Sequence, residues 1–297
     1  MARRKRGRRV DGWLIVDKSA GVTSTQVVGR VRWAFEAQKA GHAGTLDPLA
    51  TGLLAVALGE ATKTIPYAQN GLKTYRFTAN WGAETTTDDL EGEITRRCDN
   101  RPSEADIYAC LPTLMGEIMQ TPPIYSAIKV DGARAYDLAR AGEEVALKAR
   151  PIQIDQLALL SADRDRAEFE MVCGKGGYVR SMARDLGQAL GCLGHVETLR
   201  RTRSGGFDLD QAIPFDQVEA LKTDTDRDAR LLPVAAGLAE LPSIDIDAET
   251  AARLRHGDTA AAPDMDAPLY WASEGGHPVA IVDKSDGRTR LARVFAP

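Results

Sequence analysis

The feature that most constrains this chain is the run 41–54, in which Asp47 is the one carboxylate among glycines, apolar residues and a proline. A proline disfavours the helical conformation of the residue before it, so Asp47 is expected to be extended. The apolar run 53–58 follows and is typical of a buried strand or helix. A carboxylate beside buried structure is costly unless something pairs with it or uses it. The run therefore predicts a rigid loop that presents Asp47, either as a structural turn or for chemistry.

Composition sets the class of protein. The chain has 297 residues, 43% of them hydrophobic and 27% charged, which is ordinary for a soluble globular protein with a sizeable core. No apolar run approaches the roughly 20 residues that a membrane span needs. The basic N-terminus lacks the apolar segment of a secretory signal, so a cytoplasmic location is expected. Without Cys-x-x-Cys spacing, four cysteines are predicted to be reduced thiols: Cys98, Cys110, Cys173 and Cys192.

The distribution of charge says more about partners than its sum. A net charge of −4 argues against a general nucleic-acid coat protein. Basic residues cluster at 3–9 and 200–203, which fits selective binding of a folded RNA and fits equally well no nucleic acid at all. Residues 1–11 are expected to be a disordered basic tail, either solubilising or nonspecific in its contacts.

Hydrophobic periodicity and turn residues predict a mixture of helices and strands. Strands are predicted over 13–16, 53–58, 74–81, 152–160, 167–173 and 198–207, with two more near the C-terminus. Helices are predicted over 25–36, 103–115, 134–141, 179–190 and 248–256, the first capped by Thr23 or Ser24. Because several strands follow one another directly, the pattern favours an α+β fold with a mixed, largely antiparallel sheet. A change in composition near 237–241 predicts a large domain over 12–238 and a small one over 239–297.

Several segments in order resemble one known family. The run 41–54 resembles the catalytic loop of the TruB family of tRNA pseudouridine synthases, whose pattern is His-x-Gly-Thr-Leu-Asp-Pro-x-Ala-x-Gly-x-Leu. Four further segments resemble family motifs, and they span 14–24, 73–77, 173–181 and 199–202. Ser19 stands where the family usually has proline, and Gly174 and Gly177 stand where it typically has serine and threonine. The resemblance covers about 12–213 and fades in the C-terminal part.

The resemblance implies a pseudouridine synthase catalytic domain, a small C-terminal accessory domain of the PUA type, and conversion of uridine 55 in the tRNA T loop to pseudouridine. It makes Asp47 the catalytic nucleophile. The ionised form of Asp47 would be favoured by a nearby arginine, for which Arg180 is the candidate. The target base must be flipped out of its stack at about a few kcal/mol. Tyr75 is the implied stacking platform, which recovers about 1–3 kcal/mol per base.

The resemblance also implies residues that contact the substrate. These are Lys18, His42, Tyr178 and Leu199. The segment 121–150 would be an insertion that folds over the RNA, and it supplies Lys129, Arg134, Arg140 and Lys148 for phosphate contacts. Taken singly, each residue has an ordinary structural interpretation. Tyr75 and Tyr178 suit a half-buried core, Arg180 an ion pair in solvent with Asp185, and Lys18 an exposed position near a turn.

No metal and no organic cofactor are predicted. The four histidines are scattered, and the Asp-x-Asp-x-Asp run at 224–228 lacks the glycine and glutamate of a calcium loop. The expected partner is the T-arm of tRNA, with no membrane, no obligatory protein partner and a monomeric state. Two alternatives stay open. One is a guide-RNA-dependent pseudouridine synthase within a ribonucleoprotein, and the other is a noncatalytic RNA-binding or tRNA-folding protein, a role that an active enzyme could also combine with catalysis.

Overall fold

The computed structural model describes residues 7–126, 128–130, 133–134 and 147–296. Its internal contacts divide the chain into two compact units. Unit 1 comprises Met1–Pro48, Gly52–Gly71 and Arg203–Pro297, and unit 2 comprises Leu49–Thr51 and Leu72–Thr202. Among the described residues, no helix is long and apolar enough to cross a membrane.

The regular elements are named in chain order. The strands are β1 Gly12–Lys18, β2 Ala40–His42, β3 Thr51–Leu58, β4 Lys73–Trp81, β5 Ala83–Thr85, β6 Ile94–Arg97, β7 Gly116–Gln120, β8 Lys129–Val130, β9 Ala133–Arg134, β10 Arg150–Ala162, β11 Arg166–Cys173, β12 Gly194–Ser204, β13 Phe207–Asp208, β14 Ile213–Pro214, β15 Ser243–Asp245, β16 Leu269–Glu274, β17 His277–Asp283 and β18 Arg290–Val294. The α-helices are α1 Ser24–Ala34, α2 Ile65–Ala68, α3 Glu104–Cys110, α4 Val179–Ala189 and α5 Ala248–Arg255.

Unit 1 is built around β1, which pairs antiparallel with β3 and parallel with β14. β2 pairs antiparallel with β3. Almost every residue of β3 is buried, which explains its continuous apolar run, since a strand covered on both faces needs no alternation. The ring centroids of Trp13 and Phe207 lie 5.0 Å apart in this core.

The C-terminal part of unit 1 forms a separate four-stranded sheet in the order β15–β16–β17–β18. Helix α5 is capped by Asp247, and its Ala251 and Leu254 pack against Ala280 of β17. The sheet has four strands where the sequence predicted two, because β15 and β18 are short and carry few buried residues of their own.

The main sheet of unit 2 has the strand order β12–β4–β11–β10–β7, and β5–β6 and β8–β9 form two separate two-stranded sheets. β4, β11, β10 and β7 are joined by antiparallel pairs. Strand β4 alternates between buried and less buried residues, and its Phe77 stacks on Phe169 with ring centroids 5.3 Å apart. The predicted α+β class with a mixed, largely antiparallel sheet is confirmed.

Most predicted elements are confirmed, with differences at their ends. Thr23 caps α1 with a capping box, and the helix ends before Glu36, whose φ of 53° breaks it. The strand predicted to begin at Thr198 begins at Gly194, because Gly191, with a φ of 65°, already reverses the chain after α4. The helix predicted over 134–141 falls almost entirely outside the described residues, and Arg134 itself belongs to β9.

Candidate active site

Asp47 lies half-buried in the irregular connection between β2 and β3 of unit 1. The residues on both sides of it are held by buried side chains. The Ser24 hydroxyl accepts from the Leu46 amide at 2.9 Å and is 3.0 Å from the Leu46 carbonyl, to which it donates. Lys18 Nζ donates to the Pro48 carbonyl at 3.1 Å. The loop is therefore fixed immediately before and immediately after its carboxylate.

Lys18 is completely buried at the end of β1. Besides Pro48, its Nζ donates to the carbonyls of Ser19 at 3.0 Å and Val22 at 2.8 Å. A buried ammonium is costly unless it is well paired, and three carbonyl acceptors supply that pairing. The interpretation of Lys18 as an exposed lysine is therefore wrong. The side chain ties the 19–22 turn to the loop that carries Asp47.

His42 is the last residue of β2 and pairs with Val56 of β3. It is half-buried, five residues before Asp47 in unit 1. Asp47, His42 and Lys18 are the predicted site residues that belong to unit 1. The remaining predicted site residues, Tyr75, Tyr178, Arg180 and Leu199, belong to unit 2.

In unit 2, Tyr75 and Leu199 lie on strands. Tyr75 is opposite Met171 in the β4–β11 pair, on the buried face of β4, with 9% of the residue exposed. Leu199 of β12 is also buried, and its carbonyl accepts a hydrogen bond from the Thr51 hydroxyl at 3.4 Å. Both positions suit residues that line a pocket and residues that only pack, so their roles stay predictions.

Arg180 lies in the first turn of α4, and its side chain is only 4% exposed. One terminal nitrogen donates to the Thr87 carbonyl at 3.0 Å, and the other donates to the Tyr125 carbonyl at 2.8 Å. Its Nε is 3.7 Å from the buried carboxylate of Asp89. The solvent ion pair with Asp185 is therefore wrong for Arg180. A buried guanidinium with fixed acceptors has one orientation, which a catalytic cation needs.

The neighbouring Arg184 forms the ion pair with Asp185 that the sequence predicts as an alternative for Arg180. It contacts Asp185 at 3.0 Å and Asp88 at 2.8 Å. Burial raises the pKa of the Asp88 carboxyl to about 6, against the opposing effect of Arg184 and Arg180. Asp88 also has a φ of 59°, which an aspartate tolerates better than most residues.

Asp88, Asp89 and Arg184 are residues that the sequence analysis did not single out. Asp89 is buried, accepts the Glu91 amide at 3.0 Å through its carboxylate, and accepts the Thr85 hydroxyl at 2.7 Å through its carbonyl. Threonines before two adjacent aspartates are a turn signal that could have marked this loop. The ion pair between Asp89 and Arg180 has no local signal in the sequence, since the two residues are far apart in the chain.

Tyr178 immediately precedes α4 and is half-buried. Its backbone is hydrogen-bonded to the side-chain amide of Gln120, and the guanidinium carbon of Arg150 lies 5.8 Å from the centre of its ring. The two glycines that depart from the family pattern precede it. A Cβ on Gly177 would lie 2.8 Å from the Cys173 sulfur, so Cys173 occupies the space that a larger residue would need. Burial raises the pKa of this thiol to about 12.

Two further predictions concern metals and the insertion. Among the described parts of the chain, no group of three or more His, Cys, Asp or Glu side chains could hold a metal ion. In the segment 121–150, Lys148 is exposed, whereas Arg140 and the side chains of Lys129 and Arg134 lie outside what the structure describes.

Comparison with known proteins identifies the family. Residues 32–179 match the model of the N-terminal domain of TruB family pseudouridylate synthases, and residues 180–239 match that of the C-terminal domain of tRNA pseudouridylate synthase B. The chain belongs to the TruB family. It is 53% identical to the tRNA pseudouridine synthase B of Dinoroseobacter shibae, over 99% of this chain and 98% of that protein. It is also 53% identical to that of Paracoccus denitrificans, over 98% of each. The predicted enzyme class, a pseudouridine synthase, is confirmed.

Solved structures show the same fold at lower sequence identity. The chain resembles one in the crystal structure of a Cbf5–Nop10–Gar1 complex with a TM-score of 0.73 and 24% identity, covering 96% of this chain and 85% of that one. The archaeal box H/ACA sRNP Nop10–Cbf5 complex gives a TM-score of 0.71 with 23% identity, over 96% and 86%. The four-stranded C-terminal sheet begins after residue 239, where the second family model ends.

Proposed function

We propose that this enzyme converts uridine 55 in the T loop of tRNA to pseudouridine, with Asp47 as the nucleophile. Membership of the TruB family supports the reaction, and the names of the relatives support tRNA as substrate. The observation that carries the role of Asp47 is the fixation of Leu46 and Pro48 by buried Ser24 and Lys18. A nucleophile held on both sides keeps its geometry while a substrate enters.

The residue types suit this chemistry. The reaction breaks the N-glycosidic bond, turns the base and rejoins it through carbon, so it is an isomerisation that neither gains nor loses atoms. The target base must leave its stack in the folded loop, at a cost of about a few kcal/mol. Tyr75 is proposed as the platform that recovers about 1–3 kcal/mol of this by stacking.

Arg180 is assigned to the same reaction. Its burial and its two carbonyl acceptors hold the guanidinium in one orientation, and Asp89 provides a counter-charge. Asp89 is thus proposed as the residue that positions Arg180.

The other predicted residues divide into two groups. His42, Tyr178 and Leu199 are proposed to contact the flipped nucleotide. Lys18 was predicted to do so as well, but its complete burial supports a positioning role beneath the Asp47 loop instead. We also propose the catalytic domain over 12–238, the accessory RNA-binding domain over 239–297 and the RNA-clamping segment over 121–150. A cytoplasmic monomer that acts without a protein partner completes the proposal.

The test is pseudouridine formation on an unmodified tRNA transcript, with this protein as the only macromolecule added. Wild type should modify uridine 55, and a transcript with cytidine at that position should yield no pseudouridine in the T loop. Asp47→Asn should abolish product because it removes the charge while keeping the volume. Asp210→Asn, at an exposed position, is the matched control and should retain wild-type activity.

Each alternative has a distinct outcome in this test. If wild type alone forms no product and becomes active when a guide RNA or partner proteins are then added, the guide-dependent synthase would be favoured. Tight tRNA binding by wild type without product would favour the noncatalytic RNA-binding protein. Full activity of Asp47→Asn would remove Asp47 from the role of nucleophile.

A further inference from the structure

Gln120 and Arg150 occupy neighbouring positions at one end of the unit 2 sheet. Gln120 ends β7, Arg150 begins β10, and the two residues are directly opposite in the antiparallel pair. Each of them contacts Tyr178 in a different way. The two contacts converge on a residue that the proposed function places in the uridine pocket.

The side-chain amide of Gln120 forms hydrogen bonds with both the amide and the carbonyl of Tyr178. Its Oε1 accepts a hydrogen bond from the Tyr178 amide at 2.9 Å, and its Nε2 donates to the Tyr178 carbonyl at 3.2 Å. Gln120 is only 1% exposed, so water does not compete for these bonds. Tyr178 is the N-cap of α4 and makes no capping bond through its own side chain. The glutamine amide therefore sets where this helix starts and where the tyrosine ring is attached.

Arg150 contacts the ring itself. Its guanidinium carbon lies 5.8 Å from the ring centroid, within the range of a cation–π contact. Its Nε is buried and has no hydrogen-bond partner among the described residues. A buried donor without an acceptor is unfavourable, so hydrogen bonding at Nε does not explain this placement. Among the described residues, the contact that the Arg150 guanidinium makes is the one with the Tyr178 ring.

We propose that Gln120 and Arg150 are positioning residues for Tyr178: the glutamine fixes its backbone and the arginine fixes the plane of its ring. This inference rests on the proposed function, because it concerns how the pocket residue Tyr178 is held. Neither residue takes part in making or breaking bonds. Both act through Tyr178, so their effects require its ring.

The test compares single-turnover rates, tRNA dissociation constants and thermal midpoints of variants of the full chain. Gln120→Glu keeps the acceptor for the Tyr178 amide and replaces the donor by a carboxylate that repels the Tyr178 carbonyl. Arg150→Met keeps the apolar length and removes the charge. Each should lower the rate about 10- to 100-fold, the loss expected when a pocket group shifts by about 1 Å. Arg150→Met should bind tRNA with a dissociation constant near that of wild type, and its thermal midpoint should also stay near the wild-type value.

Two comparisons separate positioning from a general structural effect. Arg150→Lys restores a cation over the ring and should recover most of the rate lost in Arg150→Met. In a Tyr178→Leu background, Arg150→Met should change the rate less than about twofold, since residues that act through one another are not additive. Met119→Ala is the control. Met119 lies next to Gln120 on β7 and is 64% exposed, so this variant should have the wild-type rate.

The outcomes distinguish this inference from the proposed function. If wild type forms no pseudouridine, the proposed function fails and this inference fails with it. If wild type is active and both Arg150→Met and Gln120→Glu keep its rate, only the inference is overturned. A loss in Arg150→Met that persists in full in the Tyr178→Leu background would also overturn it, because the arginine would then act independently of the tyrosine.

Discussion

Lys18 Nζ donates to the carbonyl of Pro48, the residue that follows Asp47, across a distance of 3.1 Å. The contact joins the end of β1 to the loop before β3, thirty positions later in the chain. It places a buried positive charge beneath the loop that carries the proposed nucleophile.

Replacing Lys18 by methionine should destabilise the protein and slow the reaction. The change removes the donor from three partly buried carbonyls, for an expected loss of about 3 kcal/mol in the free energy of unfolding. The rate of pseudouridine formation should fall more than about 10-fold because Pro48 is released. Urea unfolding and single-turnover assays measure the two effects. Lys39→Met, at an exposed position, should change stability by less than about 0.5 kcal/mol, and equal effects of both substitutions would contradict the prediction.

Replacing Arg180 by lysine should affect activity more than stability. Lysine keeps the charge but cannot hold the Thr87 and Tyr125 carbonyls in the geometry of a planar guanidinium. We expect a loss of about 100-fold in single-turnover rate and of about 1–2 kcal/mol in the free energy of unfolding. Arg166→Lys, at an exposed ion pair with Glu197, is the control and should retain wild-type activity. An Arg180→Lys enzyme within threefold of wild type would exclude Arg180 from catalysis.

The Asp88 carboxyl should make stability depend on pH. Its pKa is about 6 in the folded chain and about 3.8 when unfolded, so the folded state binds the extra proton between these values. The contribution of Asp88 to the free energy of unfolding is therefore largest at low pH and is lost as pH rises to about 6 and above. Between pH 4.5 and 7.5, the stability of wild type relative to Asp88→Asn should fall by about 2 kcal/mol. Denaturant unfolding at both pH values measures it, and a difference that does not vary with pH would show that Asp88 keeps its ordinary pKa.

Replacing Gly177 by alanine should overpack the turn before α4. The new Cβ would lie 2.8 Å from the Cys173 sulfur, which is buried. We expect Gly177→Ala to lower the free energy of unfolding by about 1–3 kcal/mol. In a Cys173→Ala background the sulfur is absent, so Gly177→Ala should lower the free energy of unfolding by a smaller amount. Unfolding of the four proteins of this cycle measures the coupling. Additive effects would show that the turn relaxes without contact with Cys173.

Much of the architecture could be predicted because it depends on local patterns. The alternation in β4 and the uninterrupted apolar run in β3 each carry their own hydrophobic signal. The cap at Thr23 follows from its own side chain and that of Gln26. Element ends were predicted less well where partners decide them: β10 extends over Arg150–Ala162 because β7 and β11 pair along it.

The residue types of the site were also visible in the sequence, but their environments were not. Asp47 stood out because glycines and Pro48 constrain its backbone locally. The burial of Lys18 and the ion pair of Arg180 with Asp89 could not be predicted in the same way, because the partners are distant in the chain.

The sequence by itself therefore determined the family, the class of reaction and the loop that presents Asp47. Only the tertiary structure decided that Lys18 is buried, that Arg184 and not Arg180 pairs with Asp185, and that Gln120 holds Tyr178. The physical reason is that backbone conformation depends mainly on neighbouring residues. The burial and pairing of a charged or polar side chain depend on groups brought close only when the whole chain folds.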